Sequence, residues 1–342
     1  MKLQKTNNPI YNDFFSKSNL TVKIEKTKWR GKPSENSFCF INPEVKFKTR
    51  DKEVLKKLKE VFEIQSNSFD EKYLMAISGD GQEVKRITTL HSSSLAALLL
   101  LYSIKDKTLN CTLNDTKYIF NDCFFEVKTN VKGSHFSNMD IVLVGKDSDD
   151  KDVIFFLESK FSEYLNTGMC NNISIDAYKQ KYDKLGLLNQ NAIQGLSFKE
   201  NTNENCLQIK SETPQYCAGI KQMISHYLGV TNFIEKGAEA LDPKQKHMHI
   251  YKEPFDRLSE LQKNGANIIL GEVLFAFDDI VDKKDNNGET KYSKYTKLYK
   301  ELAILLENKK NSKLIILPEV ITYQELLKDF KLDKKVQAFY QL

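Results

Sequence analysis

Long apolar runs broken by single charged residues dominate the middle of this chain, and the runs change period along their length. Ser92-Ser93-Ser94 opens onto Leu95-Ala96-Ala97-Leu98-Leu99-Leu100-Leu101-Tyr102, apolar at every position. Serines cap helix N-termini well, and a helix that is apolar all round is buried on most sides, so the run predicts a helix over 95–102 packed against a sheet. Three runs of strand length follow, over 123–128, 139–144 and 153–160. They are rich in aromatic and β-branched residues and predict a three-strand meander. The loop 146–151 between the last two is short enough for an antiparallel hairpin.

Downstream, the spacing predicts a helix over 216–228 closed by Gly229, a central strand over 268–277 and a turn-rich loop over 282–288. A helix over 294–306, a strand over 313–317 and a short helix beginning near Tyr323 complete the pattern. Upstream, 20–25 alternates like a short strand, 29–34 has loop chemistry, and 51–62 has helical spacing with lysines opposite its apolar stripe. Ser78-Gly79-Asp80-Gly81 then breaks the chain. Residues 1–82 therefore read as an N-terminal extension of unknown role and 83–342 as the main domain. Within the latter, 164–214 is polar, Asn-rich and weakly periodic: an insertion before the second core helix, with one helical piece at 175–187. The order helix, meander, helix, strand, helix, strand describes an α/β protein with a mixed central sheet flanked by helices on both faces.

Composition narrows the setting rather than the function. The 342 residues are 40% hydrophobic and 28% charged, ordinary for a globular protein, and the formal charge of +5 permits a polyanionic partner without demanding one. Arg30, Arg50, Arg86 and Arg257 are the whole arginine complement, so arginine-based base readout has four candidates. Cys39, Cys111, Cys123, Cys170, Cys206 and Cys217 show no zinc-ligand spacing and read as reduced thiols. Residues 1–9 contain no apolar signal core, and the longest apolar run is far short of the ~20 residues that span a bilayer. The expectation is a cytoplasmic protein with no membrane partner.

The charges that interrupt the strands carry the chemistry. The second strand starts with Asp140, and the third ends in Glu158-Ser159-Lys160, where a buried strand has no structural need for charge. Side chains alternate along a strand, so Glu158 and Lys160 share one face, roughly 6–7 Å apart along the chain. An acid opening one strand beside an acid-x-lysine closing its neighbour makes a divalent-metal site with a cation next to it. Phosphodiester hydrolysis needs an activated water, charge relief on the phosphoryl oxygens and help for the leaving oxygen, and Mg2+ held by one or two carboxylates supplies all three. Asp140 and Glu158 are the candidate ligands, with the Ser159 backbone carbonyl as a further one. Lys160 would orient or help deprotonate the attacking water and offset negative charge. The competing explanation is an ion pair at a strand end, and the neighbouring Asp140 argues against it. No Ser/His/Asp or Cys/His arrangement for covalent catalysis and no glycine-rich phosphate loop is evident.

Asp140, seventeen residues and then Glu158-Ser159-Lys160, set in this order of elements, resembles the PD-(D/E)xK nuclease superfamily with its restriction-endonuclease-like core. The serine entry to the first helix, the run from Glu158 to Glu163 and Ile321-Thr322-Tyr323-Gln324-Glu325-Leu326 are similar to a group of bacterial restriction endonucleases within it. The resemblance covers roughly residues 85–330. It implies a metal-dependent endonuclease hydrolysing DNA, in restriction or another defence role, with Mg2+ as cofactor and Mn2+ as a substitute. Cutting both strands implies a homodimer, by symmetry with the duplex. Two departures stand out: Met139 replaces the proline before the aspartate, and the first helix lacks the usual acid. Glu83 is the nearest substitute, with Glu71 and Glu126 behind it. Glu163 is either a third ligand or a solvated loop acid. Gln222 and His226, i and i+4 on the second helix, either face the metal site or are simple helix polar groups. A nuclease for RNA or branched DNA shares the same site, and a catalytically silent binding or assembly protein shares the same fold.

Several other patterns are weaker. His247 and His249 fall on one side of an extended segment, but no third zinc ligand is near. The acidic loop 147–152 has lysine at the fifth position of a calcium loop and lacks the glycine of the sixth, so it is a charged turn. Tyr164, Tyr178 and Tyr182 interleave with Lys179, Lys181 and Lys184, either as a nucleic-acid grip or as a solvated helix. Lys221 reaches either phosphate or water.

Overall fold

The computed structural model describes residues 52–78, 87, 92–165, 219–278, 281–308 and 313–342 with their side chains. It describes the backbone alone at 25–29, 32–39, 47–51, 166, 169–175, 191–193, 196–201 and 206–216. Strands β1 (Glu25–Trp29) and β2 (Lys32–Cys39) pair antiparallel with each other. Helices α1 (Phe47–Phe62), α2 (Ser68–Ala76) and α3 (Ser93–Leu101) follow. The meander is β3 (Leu109–Leu113), β4 (Thr116–Lys132), β5 (His135–Asp147) and β6 (Asp152–Lys160), antiparallel throughout. Strands β7 (Met169–Ile175), β8 (Asn191–Ile193), β9 (Leu196–Asn201) and β10 (Cys206–Tyr216) form a second sheet in the order β7-β10-β9-β8.

Helices α4 (Ile220–Lys236), α5 (Pro243–Lys246) and α6 (His249–Lys263) lead to β11 (Asn267–Leu274), which pairs parallel with β6. After α7 (Lys291–Glu307), strands β12 (Leu314–Ile316) and β13 (Ile321–Thr322) both pair parallel with β11. Helices α8 (Tyr323–Leu326) and α9 (Lys334–Tyr340) end the chain. The main sheet runs β12-β11-β6-β5-β4-β3, with β13 beside β11. It is the mixed α/β sheet that the apolar pattern predicts.

Central β6 is buried from Val153 to Lys160 because helices cover both faces. On one face Phe156 meets Phe233 of α4, ring centroids 5.6 Å apart. On the other, Ser159 Oγ reaches the Ser93 carbonyl of α3 at 3.5 Å and the Tyr323 hydroxyl of α8 at 2.7 Å. Helix α3 is capped by Ser92, whose Oγ accepts the Leu95 N–H, and every residue from Leu95 to Leu101 is buried. The helices before residue 83 join this core. Phe62, Phe69 and Tyr73 are buried in it, and Lys72, 0% exposed, donates to Asp122 Oδ1 at 2.8 Å. Arg257 of α6 reaches Asp122 Oδ2 at 3.2 Å, so one buried carboxylate ties α2 and α6 to β4. Among the described residues Cys111 and Cys123 are free thiols, and no helix is long and apolar enough to cross a membrane.

Several expectations from the sequence require correction. The insertion at 164–214 contains four strands: Leu207, Ile209 and their polar neighbours alternate with period two, a strand signal weak enough to look aperiodic. Of the helical piece expected at 175–187, Ile175 ends β7 and the rest lies outside the described residues, as do positions 20–24 of the first expected strand. Tyr216 ends β10 rather than starting a helix. Helix α4 instead begins after Gly219 (φ 78°), passes through Gly229 and stops at Gly237 (φ 55°). Helices α5 and α6 had not been expected, and His247 and His249 lie exposed around the start of α6 instead of on an extended strand.

Gly229 is a close-approach glycine, not a helix stop. A Cβ there would meet Thr129 Oγ1 at 2.2 Å and Ser137 Cβ at 3.0 Å, both on the β4–β5 ribbon. Alanine would gain ~1 kcal/mol of helix propensity but overpack this contact. Gly229→Ala is therefore expected to destabilise the protein by ~1–3 kcal/mol in urea unfolding; an unchanged midpoint would show that α4 is free to move away from the ribbon.

Candidate functional site: a fork in the sheet

The β5–β6 ladder ends at Ile141↔Leu157, one position before Asp140 would face Glu158. Beyond it the two strands take different partners. The first part of β5 stays with β4 (Met139↔Val127, Ser137↔Thr129), while the end of β6 stays with β11 (Glu158↔Glu272, Lys160↔Leu274). The sheet forks there, and the candidate residues stand on its two limbs. Asp140 bridges them: its Oδ2 accepts the Ser159 backbone N–H at 2.9 Å, supplying the bond that the interrupted ladder withholds.

Glu158 is 1% exposed and its carboxylate is crowded with donors. Lys160 Nζ donates to Oε1, Gln222 Nε2 donates to the same oxygen at 2.7 Å, and His226 Nε2 lies 2.7 Å from Oε2. Lys160 also donates to Gln222 Oε1 at 2.8 Å, closing a ring of side chains. Gln222 and His226, one turn apart on α4, thus both face the site, as the helical spacing allowed. Burial by itself pushes the Glu158 carboxyl up, but the Lys160 ammonium and the His226 ring override it and hold it down at about 2. Burial opposes the charge on Lys160 too, yet Glu158, Glu163, Asp140 and Glu272 together hold it above the ordinary lysine value. Lys160 is therefore a cation at neutral pH in this arrangement, which supports its charge-offsetting role rather than proton abstraction.

The Asp140 limb is acidic and conformationally strained. Glu126, 2% exposed, occupies the register position across from Asp140, between Phe125↔Ile141 and Val127↔Met139. Its φ is +54°, which a non-glycine residue in a strand adopts only when its surroundings enforce it. Gln245 donates to the Glu126 carbonyl at 2.7 Å and accepts the Lys128 N–H at 3.0 Å, and Tyr251 donates to the Phe125 carbonyl at 2.8 Å. These side chains hold the backbone where a neighbouring strand would otherwise be. Asn138 donates to the Glu126 carboxylate, and its Oδ1 is a buried acceptor with no hydrogen-bond partner. Half-buried Asp140 is raised well above the usual carboxylate range, by burial first and then by the charges of Glu158 and Glu126.

Sequence reasoning missed Glu272. It lies beside Glu158 on β11, 1% exposed, and its Oε2 accepts the Tyr295 hydroxyl of α7 at 2.5 Å. Burial pushes its carboxyl up to about 7, against the pull of Lys160 and Tyr295. The signal was present: an acid inside the apolar run 268–277, the same anomaly that marked Glu158.

Other expected residues fall elsewhere. Exposed Glu163 turns back to accept the Phe161 and Ser162 N–H groups at 2.9 and 3.0 Å, closing the turn after β6, although its charge still acts on Lys160. Glu71 pairs with Lys105 at 3.9 Å. Glu83 lies outside the described residues, as do Tyr178, Lys179, Lys181, Tyr182 and Lys184. Tyr164 is buried and donates to the Phe275 carbonyl at 2.9 Å, a packing position. Lys221 is exposed.

The fold also lines up a serine, a histidine and a glutamate that sequence spacing could not reveal. Ser137 Oγ lies 2.5 Å from His226 Nδ1, whose Nε2 meets Glu158. The carboxylate can only accept, so Nε2 carries a proton. Ser137 is 2% exposed, and the line anchors the His226 ring that orients Glu158.

The donor set fits a divalent cation in kind. Asp140, Glu158 and Glu272 act on one ammonium, Glu126 stands across from Asp140, and Asn138 contributes an unused oxygen acceptor. As the side chains stand, no group of three or more His, Cys, Asp or Glu residues is placed to hold a metal ion among the described residues. Glu158 would have to exchange one of its donors first.

The opposite shifts of Glu158 and Glu272 give a test in metal-free buffer. The native state holds the Glu272 proton from about 4.5 up to about 7, so stability falls as pH rises through that interval, and Glu272→Gln should flatten the slope. Glu158 acts the other way: its contribution is present above 4.5 and is lost as pH falls through about 2. Urea unfolding at a series of pH values reads both, and a wild-type slope in Glu272→Gln would place that carboxyl in water.

No protein-family model, no curated protein and no solved structure matches this chain.

Proposed function

We propose that this protein is a metal-dependent endonuclease that hydrolyses DNA phosphodiester bonds, of the PD-(D/E)xK kind, with a restriction-endonuclease-like core and a restriction or defence role. One observation carries the reading: the fork brings Asp140 of one limb onto the Ser159 amide, between Glu158 and Lys160 of the other. Residues nineteen apart in sequence meet where β5 and β6 part.

Asp140 and Glu158 would hold Mg2+ or Mn2+, with the Ser159 carbonyl as a further ligand. The bound ion would supply an acidified water and charge relief on the phosphoryl oxygens. His226 holds the Glu158 carboxylate through Oε2 and would keep it oriented while Oε1 exchanges its donors for the ion. Lys160 brings a permanent positive charge to the attacked phosphate. The excess of carboxylates over cations around Lys160 supports cation uptake. A second reading, a binding or assembly protein with a silent site, has one observation on its side: Glu158 is already satisfied by Lys160, Gln222 and His226.

Supercoiled plasmid with Mg2+ or Mn2+ separates the two. Nicking or linearisation is expected, abolished by EDTA and reduced at least ~100-fold in Asp140→Ala and in Glu158→Ala. Cleavage that survives both substitutions would remove the fork from the chemistry, while a silent wild type on both plasmid and RNA would favour the binding protein.

A further inference from the structure

Glu158 cannot serve a divalent cation and keep all its present donors. Of its two oxygens, Oε1 is occupied by Lys160 and Gln222. Gln222 is neutral and leaves without electrostatic cost, but the ammonium is repelled by an arriving cation and needs another carboxylate. Asp140 is itself a candidate ligand, and its Oδ2 is held by Ser159. Glu163 Oε2 is committed to the turn after β6.

Glu272 is different. It is level with Glu158 on the adjacent parallel strand, while Lys160 is level with Leu274, two positions on. A strand spacing and a two-residue rise place the Lys160 and Glu272 Cα atoms about 8 Å apart on the diagonal, a span these two side chains can close. Its carboxyl is anchored by the Tyr295 hydroxyl, which occupies the space left by Gly219 at the head of α4; a Cβ there would meet the hydroxyl oxygen at 2.5 Å. The anchor therefore lies between Glu272 and the helix that delivers Gln222 and His226.

We propose that Glu272 is a positioning residue that receives the Lys160 ammonium when a divalent cation engages Glu158, keeping that charge at the reacting centre. The inference rests on the metal-dependent reading above. It explains why a strand that packs between β6 and β12 carries an acid at the one register position beside Glu158.

A double-mutant cycle on the full-length protein tests it, with Mn2+ alone as probe and isothermal titration calorimetry as readout. Glu272→Gln keeps the shape and can still accept from Tyr295, and it should weaken Mn2+ binding about tenfold in the wild-type background. In Lys160→Met the same substitution should change affinity by less than about twofold, since no ammonium remains to be relocated. Equal affinities of wild type and Glu272→Gln would overturn the proposal while leaving the metal site intact. An equal loss in both backgrounds would also overturn it, by showing that Glu272 acts on the cation or the fold directly. A wild type that takes up no Mn2+ would remove both this inference and the metal-dependent function. If Glu272→Gln fails to fold, Glu272→Met, which keeps the buried volume and removes the acceptor, is judged by the same criteria.

Discussion

Everything at the centre of this molecule is arranged around the buried charge of Glu158. Taking an isolated carboxylate out of water costs far more than one hydrogen bond returns, so it must be met by cations and donors or become neutral. Lys160 comes from its own strand, Gln222 and His226 come from α4, and His226 in turn takes hold of Ser137 on β5. One charge thus joins both limbs of the fork to the helix above them. Replacing such a network by apolar groups often leaves stability unchanged, whereas removing a single partner typically costs ~3–5 kcal/mol. The arrangement specifies geometry more than it adds stability.

Close approach of α4 is the condition for this. The helix can reach Glu158 because Gly229 presents no side chain to Thr129 and Ser137, and because Asn232 is bonded to the Asn130 and Val131 carbonyls at the far end of the ribbon. The inward positions show how far the ribbon has twisted. Even-numbered Phe156 and its partner Val142 lie toward α4 on the main sheet, whereas odd-numbered Thr129 and Ser137 do so beyond the fork. The left-handed backbone at Glu126 lies within that change of parity. Gln245 and Tyr251 hold it there by satisfying the backbone groups that the distortion leaves open. Strain on the Asp140 limb is thus balanced by α5 and α6, elements that contribute nothing to the acidic cluster itself.

The opposite end of β4 is braced in a comparable way. Lys72, buried under the sheet's end, donates to Asp122 and lies 5.0 Å from the centre of the Phe124 ring, while Arg257 takes the other Asp122 oxygen. Helices α2 and α6 are therefore clamped to the same strand that bends at Glu126 four residues later. The residues before position 83 that the structure describes with their side chains serve the site by stiffening the strand that carries its second acid.

The local features of this protein were legible in its sequence because they depend on near neighbours. The apolar run behind the serines, the hairpin of β5 and β6, and the shared face of Glu158 and Lys160 follow from side-chain period and capping chemistry. Charge inside an apolar strand marked Asp140 and Glu158, and the same sign at Glu272 went unread because no motif drew attention to it. What the sequence did not determine was everything set by distance across the fold. Whether a glycine ends a helix or lets it approach a ribbon, as at Gly229, depends on what stands opposite. Whether an acid is a solvated loop group, as Glu163 nearly is, or a buried neighbour of Asp140, as Glu126 is, depends on where the ladder stops. Beyond the fork, where β5 and β6 part, β5 follows its outer neighbour β4 and β6 follows β11, long-range pairings with no local signature. The charge states of the site follow from that parting, because burial and the sum of nearby charges are properties of the assembled fold.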